Sequence, residues 1–174
     1  MSENPSSDRL IACLAEVERH VSSMGWDQPA RLFALVPTQE LLEKEPQLKG
    51  QVPESMPDAL SAVEQDGFAT GTDVLERLAE IYWPESVEGT AMALERTFLP
   101  QEFEHELPMD PQEAAVFVSK HPQRRDLRVV VGVLRDGSRH GLARFTSEPD
   151  ELLGAPDLVP GLAEALMGTL EGHP

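Results

Sequence analysis

The stretch LRVVVGVLRDGSRHGLARFT, residues 127–146, decides how this chain folds. Two β-rich runs, 127–134 and 139–146, flank Asp136-Gly137, a dipeptide suited to tight reversal because both residues tolerate positive φ. The runs are therefore expected to pair antiparallel. A two-residue primed turn predicts Gly132 opposite Gly141. A three-residue turn, with Gly137 left-handed and a bulge, shifts one strand by a residue and reverses its faces. The first register spreads the large apolar groups over both faces and is the one expected. It leaves a bare patch of sheet, which the small residues Gly161, Ala165 and Gly168 of the last helix suit for close contact.

Working outward, 110–121 reads as a helix opened by Asp110-Pro111 with Glu113 as a capping-box partner, and closed by His121 before Pro122. Upstream, 90–99 alternates, with Met92, Leu94 and Phe98 on one face and Ala91, Ala93, Glu95 and Thr97 on the other, predicting a strand with one well-buried side. Residues 31–36 are apolar in both alternations and suit an interior strand. Leu10, Leu14, Val17, Val21 and Met24 form a helical stripe that starts near Ser7 or Asp8 and stops at Gly25. A short helix is expected at 39–45, a Pro- and Gly-containing loop at 46–57, an edge strand at 59–65 and a helix from Thr72 to Tyr82 that must end before Trp83-Pro84. After the hairpin, Asp157 and Pro160 open a last helix with Leu158, Leu162, Leu166 and Leu170 inward. The order predicts one α+β domain over 8–172, after a flexible 1–7. Its core is an antiparallel sheet of about four or five strands, with helices packed on a face and at the ends.

The chain has 174 residues, and 31 acidic against 14 basic side chains give a net charge of −17. That balance argues against nucleic-acid backbones, which demand clustered Lys and Arg, and against anionic membrane surfaces. A lone Cys13 cannot form an internal disulfide or a thiolate zinc site. The start MSENPSSDRL has neither a basic nor an apolar leader region, so the expectation is a cytoplasmic protein without a spanning helix.

The candidate site residues are few. The five histidines lack metal-ligand spacing, so no metal and no cofactor is expected. Cys13 and His20 lie about 10 Å apart along a helix axis, too far for a nucleophile and its base. Trp26, beside Gly25, and Trp83, before Pro84, read either as core closures or as interface anchors. Arg135, Arg139 and Arg144, with His140 between them and with Arg124, Arg125 and Arg128 nearby, concentrate positive charge at the hairpin, and they read either as solvated strand ends or as a small-anion or acidic-partner contact. No catalytic constellation converges. The favoured reading is a non-enzymatic protein-interaction module, a homodimer included. The alternative is a small-anion or metabolite-binding sensor, or an enzyme, using Arg139, His140 and Arg144.

Three segments, GWDQPARLFALV (25–36), VVVGVLRDGSRHGLAR (129–144) and PDLVPGLAEAL (156–166), together resemble a family of small acidic actinobacterial proteins. The resemblance spans roughly 8–171. It implies a bacterial cytoplasmic protein and carries no activity, cofactor or catalytic residue to transfer. The helix and strand order is also similar to small acidic secretion chaperones, with a helix inserted after residue 70. That likeness concerns topology alone.

Overall fold

A run apolar in both alternations, as 31–36 is, needs cover on both faces. A computed structural model describes residues 5–26, 29–48, 59–65, 78, 80–156 and 158–171. Its elements are α1 (Pro5–Ser22), β1 (Arg31–Pro37), α2 (Thr38–Lys44), β2 (Leu60–Glu64), β3 (Gly89–Phe98), α3 (Pro111–Lys120), β4 (Arg125–Leu134), β5 (Arg139–Phe145), β6 (Glu148–Ala155) and α4 (Pro160–Leu170). The fold is a single α+β domain. Its sheet has six strands in the order β2-β1-β3-β4-β5-β6, with every neighbouring pair antiparallel.

One helix packs on each side of this sheet. Leu10, Cys13, Leu14, Val17 and Val21 of α1 meet Phe33, Leu35, Ala91, Ala93, Val130, Leu134 and Leu142. On the opposite face Leu162, Ala163, Leu166 and Leu170 of α4 meet Leu32, Ala34, Met92, Leu94, Val129, Val131, Val133 and Ala143. The sandwich corrects the expectation of helices on one face and at the ends. It also corrects β3, whose Ala91 and Ala93 are as buried as Met92. Small side chains on that face let α1 approach, so their size was a mark of close packing rather than of exposure.

The hairpin register is the other correction. Gly132 pairs with His140, and Gly141 with Val131. Arg135, Asp136 and Gly137 form a three-residue loop in which Gly137 has φ +97°. Asp136 Oδ1 accepts from the Ser138 amide at 2.9 Å, and the Leu134 amide donates to the Ser138 carbonyl at 2.8 Å. The extra loop residue is the bulge that the sequence left as the less favoured choice.

The bare patch disappears with it, because the two glycines now lie on opposite faces. A Cβ at Gly132 would stand 2.6 Å from Leu14 Cδ2, and one at Gly141 would stand 2.9 Å from Leu158 Cβ. Each hollow is filled by a leucine from a different layer. Nothing lies within 4 Å of a Cβ built on Gly161 or Gly168, so of the small-residue stripe only Ala165 packs against the core.

Other boundaries are closer to expectation. β2 is an edge strand beside β1. Asp110 caps α3 by accepting from the Glu113 amide at 3.0 Å. α1 begins at Pro5 rather than at Ser7 or Asp8, so the expected flexible start is partly helical. The helix expected from Thr72 lies mostly outside the described residues, as do 49–58 of the expected loop. β6 went unanticipated and raises the sheet above about five strands. Its EPDELLGA sequence has Pro149 and three carboxylates and no apolar alternation, and it is held by main-chain pairing to β5.

Candidate functional site

Alternation along β5 separates the hairpin cations. Odd-numbered Arg139 lies on the α4 side of the sheet, whereas even-numbered His140 and Arg144 lie on the α1 side, where Leu142 is buried against α1. His140 is half-buried, and burial lowers its pKa from the ordinary 6.5. Its Nε2 occupies the space a side chain at position 154 would need, 3.1 Å from a Cβ built on Gly154.

Arg144 sits directly opposite Arg128 in the β4–β5 register, so two guanidinium groups share the α1 face. Glu18 of α1 reconciles them. Its carboxylate accepts from Arg144 Nε at 2.7 Å and Nη2 at 3.0 Å, and from Ser22 Oγ at 2.6 Å. Arg128 donates to Ser22 Oγ at 3.0 Å and to the Gly25 carbonyl, and its guanidinium carbon stands 4.4 Å over the Trp26 ring. Glu95 completes the balance at 3.5 Å from Arg128 Nη2. Burial alone would raise the Glu18 pKa. The hydrogen bonds from Arg144 and Ser22 and the charges of Arg144 and Arg128 reverse that, leaving it below the ordinary 4.5.

Glu18 was not singled out in the sequence, and Arg128 only as one of the cations around the hairpin. The signal for Glu18 was its spacing: four residues after Leu14 and beside Val17, it places a carboxylate within the apolar stripe of α1. A charge there demands a cation from the facing sheet.

Arg135 has a comparable role at the other face. It donates to the Leu170 carbonyl at 2.5 Å, the Val87 carbonyl at 2.7 Å, the Pro84 carbonyl at 2.8 Å and the Trp83 carbonyl at 3.2 Å. The guanidinium thereby closes the C-terminus of α4, where unpaired carbonyls and the helix dipole favour a cation. The Trp83 amide donates to the Thr169 carbonyl at 3.2 Å, and its ring packs half-buried on the α4-side core. Of the residues singled out from sequence, Trp26 and Arg144 thus meet through Glu18 and Arg128, Trp83 meets Arg135, and Arg139 lies on the opposite face of β5 from His140 and Arg144.

The insertion between β3 and β4 carries a concavity. A 3-10 turn, Gln101–Glu106, leads to α3, and His121 ends it. The Gln123 amide donates to His121 Nδ1 at 3.0 Å, so Nε2 bears the proton and donates to Glu106 Oε1 at 3.2 Å. Phe103 and Phe117 flank the imidazole with ring centroids 5.1 and 5.4 Å away. With both nitrogens engaged, His121 orders this corner rather than offering a free base. Beside it lies a shallow groove of about 440 Å³ lined by Glu106, Val116, Phe117, Lys120, His121 and Pro122. α3 has no buried residue, Val116 is 52% exposed, and Met109 projects fully into solvent.

Burial pushes the Cys13 thiol up to about 12, so it is a core side chain with little thiolate character. Among the described residues, no group of three His, Cys, Asp or Glu side chains could hold a metal, and no helix is long and apolar enough to cross a membrane. A family model described as PPA1309-like protein matches residues 10–171, and the chain belongs to that family. No curated protein and no solved structure matches it.

Proposed function

We propose that this member of the PPA1309-like family is a non-enzymatic protein-interaction module. One observation carries the reading: α3 buries none of its residues, and Met109 just before it, Val116 and the Phe117 groove lie at the surface. An apolar helix face that contributes so little to its own core has a use outside it. Meanwhile Arg144 and Arg135 are engaged by the fold, and Arg139 lies across the sheet from His140, so the anion-site alternative has fewer converging groups in its favour. The net charge of −17 favours a partner of different composition over a second copy.

The test is affinity capture from the native lysate with the wild type and with Met109→Asp/Val116→Asp. The variant touches exposed positions and is expected to melt like the wild type while losing the wild type's specific partner. Identical capture by both baits would remove α3 as the contact. Stabilisation by a small anion that is lost in Arg139→Ala/His140→Ala would favour the sensor reading instead.

A further inference from the structure

β6 is a strand that the fold leaves uncovered. Among the described strands it borders the sheet and pairs with β5 alone, through Gly141↔Ala155, Leu142↔Gly154 and Ala143↔Leu153 and, after a break in register, Phe145↔Glu148, so the main-chain donors and acceptors of its far side have no strand partner there. Residues 148–154 are all exposed, because α1 packs on β4 and β5 and α4 on β3 and β4. Leu152 and Leu153 are 39% and 45% exposed, so a strand added here would gain apolar contact as well as main-chain hydrogen bonds.

Charge decides what that strand is. Glu148, Asp150 and Glu151 project from β6, and no Lys or Arg occurs between Thr146 and Pro174. Arg125 stands 3.7 Å from Glu148, and Arg144 attracts Asp150, so the sheet side offsets part of this charge while Glu151 and the outer edge stay acidic. A second copy docked edge to edge would set carboxylate against carboxylate, which is how natural edges discourage self-pairing. A strand alternating Lys or Arg with aliphatic residues meets both features.

We infer that the β6 edge accepts an extended basic segment of a partner protein by strand addition. The inference rests on the interaction-module reading and names its partner chemistry. It concerns a surface separate from the α3 groove.

The probe is a blocked peptide of about seven residues alternating Lys and Val, titrated into the full chain by NMR. Saturable shifts in the amides of 148–155, with slowed hydrogen exchange there, are expected. Methylating alternate peptide nitrogens, to remove the donors facing β6, should weaken binding at least about tenfold, and Glu151→Lys should weaken it about threefold or more. A Glu-Val peptide should not bind. Leu152→Pro removes one β6 donor and should weaken binding too; if that variant fails to fold, the methylated peptide tests the same hydrogen bonds.

The inference is overturned if no basic peptide binds, if the methylated or acidic peptide binds as well as the parent, or if the shifts fall outside β6. A wild-type dimer dispersed by Glu151→Pro would also overturn it, showing that the edge belongs to a second copy. Failure here with capture still dependent on Met109 and Val116 would leave the module reading standing.

Discussion

Glu18 is the residue on which the α1 face turns. Its side chain is 3% exposed and holds Arg144 against α1 while balancing Arg128, which is itself 2% exposed. Glu18→Ala removes the anion and leaves behind the buried Arg128 and the partly buried Arg144, a defect that costs about 3–5 kcal/mol. Chemical denaturation is the check, and a loss under about 1 kcal/mol would show that water already serves these guanidinium groups. The acid limb gives a second readout. A carboxyl whose folded pKa is lowered contributes stability that is complete above its unfolded pKa, and that contribution disappears as pH falls through the lower folded value. Wild type should therefore lose this contribution below about pH 4.5, and Glu18→Ala should show a flatter acid profile. The glycines supply a paired test at the same scale. Gly132→Ala drives a methyl against Leu14 and should cost about 1–3 kcal/mol. Gly168→Ala meets nothing within 4 Å on α4 and should stabilise by up to about 1 kcal/mol. Equal effects at both positions would contradict the close approach of α1.

Among the elements, those with strong local chemistry were legible in sequence and those made by neighbours were not. α3 was readable because Asp110, Pro111 and the His121-Pro122 stop act within the helix itself. Asp110→Ala should lower global stability by no more than about 1 kcal/mol, and it should loosen hydrogen exchange in 111–120 selectively, since α3 buries nothing. The hairpin was legible as a hairpin, but its register was not. Aspartate before glycine permits both loop lengths, and the choice rests on Leu14 filling the hollow at Gly132 and Leu158 the one at Gly141, both non-local contacts. β6 was invisible because an edge strand held by main-chain pairing has no need of an apolar pattern. The same logic hid half of the candidate site. Trp26, Trp83 and the hairpin arginines were conspicuous by residue type, whereas Glu18 looked like one more acid in an acidic chain.

At the scale of the molecule, two hydrophobic layers on one sheet account for stability, and the elements outside them remain for function. Leu162→Asp should unfold the chain, because α4 seals a core with this side chain at 3% exposure among apolar neighbours. A soluble variant with unchanged melting temperature would show α4 to be peripheral. The sheet and the α1 stripe could be read from apolar periodicity. Which surfaces are left uncovered could not, since cover depends on where α1 and α4 end relative to the six strands. The central claim is that this domain works through its uncovered exterior. Hydrogen exchange of the full chain, with and without the partner captured by the wild type, tests it most directly. Protection gained in 109–122 or 148–155, with 135–144 unchanged, is the predicted result. Protection confined to 135–144 around Arg139 and His140 would contradict it.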